Sequence, residues 1–591
     1  MTQRGISHTD EVPSWAFYFR KDEQYMQKKH WQRLLTTGLI IGAACWPLGS
    51  VLAASSASTA TTKTTTSPAP ATTAAAATIT STKPTTDKTY SLTFAPDEYT
   101  EEHMSYQGQD VAYRAYRGIV YVAHPAAPEA EQMNIFIPSA YFTGGNVNGY
   151  TAQTAPIFLP NGVGGYMPGQ AGEPALSSHG TPGPNAIWVA LSRGYVVAAP
   201  AIRGRTTQDA QGNYVGKAPA LIVDYKAAVR YLRHNRHRLP AGDTEKIISD
   251  GTSAGGALSA LLGATGNSPD YAPYLQALGA ADERDDIFAS MDYCPITNLE
   301  HADMAYEWMF AGVNTYHQGN APHAAQPTGQ LPLPPQGSRP GISQIAPPSD
   351  TGTVTNRPAN APQETTTAQT MTGRQITASH ALKQLFPAYV NSLGLHDTTG
   401  QPLTLRADGT GSFADYIKSI YRASAQKALT SGNTSVQTLD WLTVKQGQVT
   451  AVDLSKYAVW AGRLKATPAF DKFDLSSGEN DEFADRTNQP KHFTAFSYQH
   501  SDKQGALADA TTIRLLNPMQ YIGTTGVTVA PHWRIRHGAK DRDTCLAIPA
   551  LLALKLQNAG YDVDFAAPWG QGHAGDYDLK ELFDWTDSLC K

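Results

Sequence analysis

The chain has 591 residues, 41% hydrophobic, 9% aromatic and 16% charged, an ordinary globular composition that excludes a wholly disordered or collagen-like polypeptide. With 46 Lys and Arg against 51 Asp and Glu the net charge is −5, so no excess of positive charge exists to attract a phosphate backbone and no nucleic-acid partner is expected. Four cysteines are too few for a disulfide scaffold, and the roughly four domains that the length would allow shrink to two once the chain is read in order.

Lys28, Lys29 and Arg33 precede a mostly apolar, small-residue run over 34–54 that ends in Val51-Leu52-Ala53-Ala54. A positive segment, an apolar core and a small-residue cleavage site in that order form an export signal. Thr36, Thr37, Gly38 and Pro47 weaken the run as a permanent span of about 20 residues. Residues 1–53 are therefore read as an export signal, with an uncleaved N-terminal anchor as the alternative, and a periplasmic, secreted or surface-tethered location is expected. Cys45 has Gly42 three positions before it instead of the leucine of a lipoprotein signal, which argues against a lipid anchor. Over 54–88, 27 of 35 residues are Ala, Thr or Ser, too little apolar area to offset ordering entropy, so this stretch is read as a linker. The remaining cysteines, Cys294, Cys545 and Cys590, allow at most one internal bridge, and the sequence does not choose between a bridge and separate thiols.

From residue 89 onward a strand and helix rhythm begins. Residues 90–94, 111–122 and 133–137 are short and rich in β-branched and aromatic types, and are predicted to be strands. A helix over 185–191 stops at Gly194, before the buried-strand run 195–199. Leu221, Ile222, Ala227, Ala228, Tyr231 and Leu232 recur at helical spacing, which predicts a helix within 218–234. A strand over 246–249 then leads through Asp250-Gly251-Thr252-Ser253-Ala254-Gly255-Gly256 into a helix of small residues.

Gly251-x-Ser253-x-Gly255 is the G-x-S-x-G pattern, whose glycines let a strand reverse sharply into a helix and leave the serine exposed on a strained turn. Taken alone the pattern is common; the flanking strand and helix make Ser253 a candidate nucleophile, and the helix N-terminus directs N–H groups at a developing oxyanion. A serine hydroxyl needs a base and a group that orients the base. In this fold class they follow in the order acid, then histidine. Residues 533–538 read as a strand leading into Asp541 and Asp543, and a helix over 548–558 follows. The strand 562–567 then leads into Gly570-Gln571-Gly572-His573. Asp541 and His573 fit the order, with His537 as the competing histidine and Asp543 as the competing acid. The Asp-Arg-Asp segment offers too few oxygen ligands for a cation site, and no metal or other cofactor is expected.

Ser253 and Asp541 are 288 positions apart, far more than one or two strand–helix units require. Residues 299–511 are therefore read as a lid domain inserted between nucleophile and acid, and residues 89–298 with 512–591 as the catalytic domain. Phe413, Tyr416, Ile417, Ile420 and Tyr421 at helical spacing give the lid a core of its own. Ten of the 39 prolines fall between Pro322 and Pro362, so 318–375 is predicted to be a long loop within the lid.

At these residues the sequence resembles the bacterial tannases (tannin acyl hydrolases), serine esterases of the α/β-hydrolase fold. The likeness is carried by Gly251-Thr252-Ser253-Ala254-Gly255-Gly256-Ala257-Leu258-Ser259, by Asn148-Gly149-Tyr150-Thr151-Ala152 with Val163-Gly164-Gly165-Tyr166-Met167-Pro168, by Asp224 to Leu232, and by the region from Asp541 to His573. It spans most of the chain from about residue 90, interrupted by the Pro-rich segment, which departs from the family. The resemblance implies an α/β-hydrolase fold, a galloyl ester substrate and a triad of Ser253, Asp541 and His573. It also implies an oxyanion hole from the Ala254 N–H with one from Gly164 or Gly165, and recognition of the trihydroxyphenyl ring by Lys465, Glu479 and Asp543. Two carboxylates and an ammonium do suit three adjacent phenolic hydroxyls, each a donor and an acceptor. The competing functions are a feruloyl-type or other aromatic carboxylesterase with the same triad and, from another class, a catalytically silent surface-binding module. The sequence leaves the oligomeric state open.

Overall fold

The computed structural model describes residues 88–178, 181–317 and 368–591. The export signal, the Ala/Thr/Ser linker and most of the Pro-rich loop lie outside the described residues. The described residues fall in one compact unit. Among the described residues no helix is long and apolar enough to cross a membrane.

The centre is a nine-stranded sheet. Its strands are β1 (Thr100–Tyr106), β2 (Gln109–Val120), β3 (Gln132–Pro138), β4 (Pro156–Pro160), β5 (Val196–Pro200), β6 (Asp243–Thr252), β7 (Ala289–Tyr293), β8 (His532–Arg536) and β9 (Asp562–Ala566), in the spatial order β1-β2-β3-β5-β4-β6-β7-β8-β9. The first three strands and β5 pair antiparallel in succession. From β5 through β9 every pairing is parallel. Parallel strands need crossover helices on both faces, so their residues are buried on both sides; β5 and β7 are buried at every position. The mixed sheet with helical crossovers is an α/β-hydrolase fold.

The helices that matter for the site follow the strands. Helix α1 (Ala186–Ser192) is capped by the Asn185 side chain, which accepts from the Trp188 N–H. Helix α2 (Ala220–His234) is buried along almost its whole length. Helix α3 (Ala254–Ala264) consists of small and aliphatic residues, all buried, which lets it lie close against the sheet. A Cβ on Gly263 would come within 2.7 Å of the Trp533 ring, so glycine there sets the approach of helix to strand. Ser249, Ser259 and Ser290 join their hydroxyls at 2.6 and 3.2 Å under this helix, satisfying polar groups that the close packing would otherwise strand.

The insert begins with α4 (Leu299–Phe310) and continues through α5 (Gly373–Ser392), α6 (Ser412–Thr430), a hairpin of Leu442–Lys445 with Gln448–Val452, and α7 (Leu454–Ala461). Its aromatic residues Trp308, Phe386, Phe413, Tyr421, Trp441 and Tyr457 belong to the same buried cluster as the sheet. Helices α8 (Ala547–Asn558) and α9 (Leu579–Cys590) close the fold after β8 and β9.

Two expectations are corrected. Residues 90–94 form no strand: the Phe94 N–H donates to the Asn235 side-chain oxygen at 2.9 Å and the Asn235 amide donates to the Leu92 carbonyl at 2.8 Å, so side-chain bonds replace a ladder. The edge strand is instead β1, whose Glu101, Glu102 and His103 carry no apolar alternation; charged, polar sequences of this kind protect sheet edges. The loop predicted over 318–375 ends earlier. Ala368–Thr370 pairs with Thr315–His317, and Thr372 caps α5 reciprocally with Gln375. The three cysteines within the described residues, Cys294, Cys545 and Cys590, are buried free thiols.

Candidate active site

Ser253 stands between β6 and α3 at φ 62°, ψ −120°, a conformation that costs about 1–3 kcal/mol for a side chain other than glycine. The surroundings enforce it. A Cβ on Gly251 would lie 2.2 Å from the Gly255 carbonyl oxygen, and one on Gly255 would lie 2.6 Å from the Val163 carbonyl oxygen. Gly251→Ala is therefore expected to destabilise the protein by about 1–3 kcal/mol through overpacking and to lower esterase activity per folded molecule. Urea unfolding and a burst titration of active sites check the two effects separately.

The structure brings Ser253, His573 and Asp541 together. His573 Nε2 is 2.8 Å from Ser253 Oγ, and its Nδ1 is 2.8 Å from Asp541 Oδ2. The loops after β8 and β9 deliver the acid and the histidine to the C-terminal edge of the parallel strands, where ligands bind in open α/β sheets. Gly538 makes this possible, since a Cβ there would meet the Gly572 carbonyl oxygen at 2.3 Å. Asp541 is buried, and its Oδ1 accepts from the Asp543 N–H at 2.9 Å. Burial alone would raise the Asp541 pKa, but the charge of and hydrogen bond from His573 bring it down to about 2. For His573 burial works against protonation, and the Asp541 carboxylate overrides it, holding the imidazolium well above its usual range.

His537, the competing histidine, is fully buried, with Nδ1 3.6 Å from Asp541 Oδ2. That is beyond hydrogen-bond reach, and burial lowers its pKa. The hydrogen bond to Ser253 Oγ is made by His573. Cys294, which the sequence did not single out, has its sulfur within 4.8 Å of donor atoms of both Asp541 and His573. Burial raises its pKa and the thiol faces the Ala574 carbonyl at 3.5 Å. Both His573 nitrogens are committed to Ser253 and Asp541, so these groups read as a hydrogen-bonded chain and not as a metal centre.

Ala254 is the first residue of α3, and the first N–H groups of a helix have no intrahelical acceptor. Opposite it runs the turn containing Gly164 and Gly165, closed by the Met167 N–H to the Gly164 carbonyl at 2.9 Å. Gly165 and Tyr166 both have positive φ, 54° and 60°. Asn161 ties this turn to the nucleophile: its Nδ2 donates to the Asp250 and Gly255 carbonyls, and its Oδ1 accepts from the Val163 N–H. Sequence reading missed Asn161, whose role depends on a strand end meeting a loop 90 positions on.

Of the remaining three candidates, Lys465 and Asp543 are in contact, and Glu479 lies within electrostatic reach of them. Lys465 Nζ is 2.7 Å from Asp543 Oδ2, with 22% and 19% of the two side chains exposed. Burial opposes the Lys465 charge, but Asp543 and Glu479 outweigh it and raise its pKa. Burial likewise opposes the Asp543 charge, and Lys465 with His573 brings its pKa below the usual value. Glu479 is pushed up by burial, partly offset by Lys465. Two buried anchors in α4 hold the Lys465 loop. Glu307 binds Arg463 and Thr467, and Asp303 accepts from the Phe470 and Asp471 N–H groups at 2.8 and 3.0 Å. The Tyr306 hydroxyl accepts from the Lys465 N–H at 3.3 Å and donates to the Arg542 carbonyl at 2.8 Å, pinning the Lys465 loop to the loop of Asp541 and Asp543. Asp303, Tyr306 and Glu307 share one face of a helix at i, i+3, i+4 spacing, a signal that resembles ordinary amphipathicity.

The chain is similar to the tannase of Lactobacillus plantarum, at 46% identity over 85% of this chain and 100% of that one with a TM-score of 0.75. It is similar to the Fusobacterium nucleatum tannase at 47% identity, with the same coverage and TM-score. The chain belongs to the tannase family. Tannases are carboxylic ester hydrolases, and this protein is an enzyme of that class. A tannin acyl hydrolase in complex with ethyl gallate is 45% identical over 85% of this chain and 99% of its own, with a TM-score of 0.74. The BD-FAE family matches residues 179–322, the segment that contains the Ser253 elbow. No curated protein matches.

Proposed function

We propose that the protein hydrolyses galloyl esters, of hydrolysable tannins and of simple alcohols, through Ser253, His573 and Asp541. The observation that carries this reading is that one loop presents Asp541 to His573 and, two residues on, Asp543 to Lys465. The reacting groups and the ring-recognising groups are thus fixed to each other.

In the first step His573 takes the Ser253 proton as Oγ attacks the ester carbonyl, and the Ala254 N–H with an N–H of the Gly164–Gly165 turn stabilises the oxyanion. His573 then protonates the departing alcohol, leaving a galloyl ester on Ser253. Water, deprotonated by the same imidazole, attacks that ester, and gallate leaves as Ser253 recovers its proton. Asp541 fixes the imidazole tautomer throughout. Glu479 and Asp543 accept from the phenolic hydroxyls and Lys465 donates to them; a ring lacking those hydroxyls covers this charged cluster without replacing its bonds to water, which penalises it even though Lys465 and Asp543 keep each other.

Methyl gallate is expected to turn over faster than methyl ferulate, and the reverse order overturns the galloyl assignment. Lys465→Ala and Glu479→Ala are expected to lower kcat/KM for methyl gallate by about 10²-fold or more while affecting methyl benzoate by less than about tenfold, because each removes a charge-assisted bond to a ring hydroxyl. Equal losses on both esters would contradict ring recognition. We further propose that residues 1–53 direct the enzyme out of the cytoplasm; a fractionation that leaves the protein with cytoplasmic markers overturns this.

A further inference from the structure

Arg205, in the loop after β5, touches both halves of the site. Its Nε donates to the Gly165 carbonyl at 3.0 Å, and its own N–H donates to the Tyr166 carbonyl at 2.8 Å. Its Nη1 binds Asp481 Oδ2 at 2.5 Å. Asp481 belongs to the short helix Gly478–Glu482 that carries Glu479. The other Asp481 oxygen accepts from Lys217 at 2.6 Å, and the Lys217 side chain is 5% exposed. The Arg205 side chain is itself only 12% exposed. A bond this sheltered is held in one geometry and is screened less than a surface ion pair.

Two features show why the turn needs such a clamp. Gly165 and Tyr166 are successive residues at positive φ, and Tyr166, having a side chain, persists there only because its surroundings over-determine it. Asn161 holds the turn from the nucleophile side. Arg205 holds it from the other side, through the two carbonyls that follow Gly164. An amide whose carbonyl is fixed has a fixed plane, so these bonds set the Gly165–Tyr166 and Tyr166–Met167 amides; the Met167 N–H in turn donates to the Gly164 carbonyl at 2.9 Å, which orients the Gly164–Gly165 amide and its Gly165 N–H. The same guanidinium fixes Asp481, two residues after Glu479 in the same short helix.

We infer that Arg205 is a positioning residue that holds the Gly164–Gly165 oxyanion turn in register with the Glu479 helix, so that engagement of the galloyl ring and stabilisation of the oxyanion are coupled through one side chain. This rests on the galloyl reading above. Arg205 touches no reacting atom. Its effect is geometric, and a misplacement of about 1 Å in such a site costs on the order of 10²-fold in rate. A planar guanidinium can serve a carbonyl and a carboxylate at once, whereas a lysine ammonium cannot span the same two acceptors with one fixed geometry.

The test compares full-length wild type with Arg205→Lys, Arg205→Ala, Asp481→Asn and Glu479→Ala, on methyl gallate and methyl benzoate. It adds the affinity for phenylboronic acid, whose tetrahedral adduct on Ser253 places an oxygen in the oxyanion site, and the affinity for gallate. Arg205 and Asp481 line a cavity of about 280 Å³, so neither replacement overpacks the core. For Arg205→Lys and Arg205→Ala, kcat is expected to fall roughly tenfold to a hundredfold on both esters, with phenylboronic acid weakened by a similar factor and gallate by less. Asp481→Asn keeps the Arg205 bond to Gly165 but loosens the helix, and is expected to lose more on methyl gallate than on methyl benzoate. In the cycle of Arg205→Ala with Glu479→Ala, coupling appears as a combined loss on methyl gallate smaller than the product of the single losses. If wild type turns over methyl benzoate but not methyl gallate, the galloyl reading falls and the coupling with it. If wild type turns over methyl gallate and the Arg205 variants keep their kcat and boronate affinity, or lose only thermal stability, the coupling alone is overturned.

Discussion

Ser253→Ala is expected to lower kcat on galloyl esters by on the order of 10⁶-fold, the loss seen when the nucleophile of a Ser–His–Asp enzyme is removed. Alanine at this position inherits the φ of 62° with no further strain, since it carries the same Cβ. The elbow and the His573–Asp541 bond are therefore expected to survive, and gallate to bind as it does to wild type. The loss belongs in kcat, not in binding. Rapid-quench kinetics with equilibrium dialysis of gallate separates the two; a variant that loses gallate affinity along with turnover would mean that the substitution had unfolded the elbow.

The next largest effect is expected for Asp541→Asn, about 10⁴-fold in kcat. The side chain keeps its shape, but its one amide oxygen is taken by the Asp543 N–H that Oδ1 accepts now, so the NH2 faces His573 Nδ1 and holds the imidazole in the wrong tautomer. A pH profile gives the variant a second, independent signature. The Asp541 carboxylate raises the His573 pKa, and the imidazole must be neutral to take the Ser253 proton. Wild-type kcat/KM is therefore lost as pH falls through a raised His573 pKa. Removing the Asp541 charge lowers that pKa, so the acid limb of the variant moves to lower pH while the plateau drops. An acid limb that stays in place would show that another group sets it.

The chemistry was more legible in the sequence than the groups that support it. Ser253 announces itself because a strand, a glycine-bracketed turn and a small-residue helix follow without a gap, and that order has a steric cause. Asp541 and His573 are readable because each closely follows a strand near the C-terminus. Lys465 and Glu479 had no such signal; as single charges in loops they were placed by the family likeness, and the structure sets Lys465 beside Asp543. Their supports, Glu307, Arg463 and Asp303, are buried charges whose partners lie more than 150 positions apart, a separation that no local pattern reveals. Among the strands, β4 escaped notice because Pro156 and Pro160 bound only five residues, where proline ordinarily argues against a central strand. β1 escaped notice for lack of apolar alternation.

The proposed hydrolysis passes a galloyl group through Ser253. Mixing the enzyme with excess methyl gallate, quenching with acid within milliseconds and mapping the peptides by mass spectrometry addresses that directly. A galloyl adduct on the peptide containing Ser253, formed in a burst and absent from Ser253→Ala, is the predicted result. Rapid release of gallate with no adduct on Ser253 at any quench time, or an adduct on another residue, would contradict it.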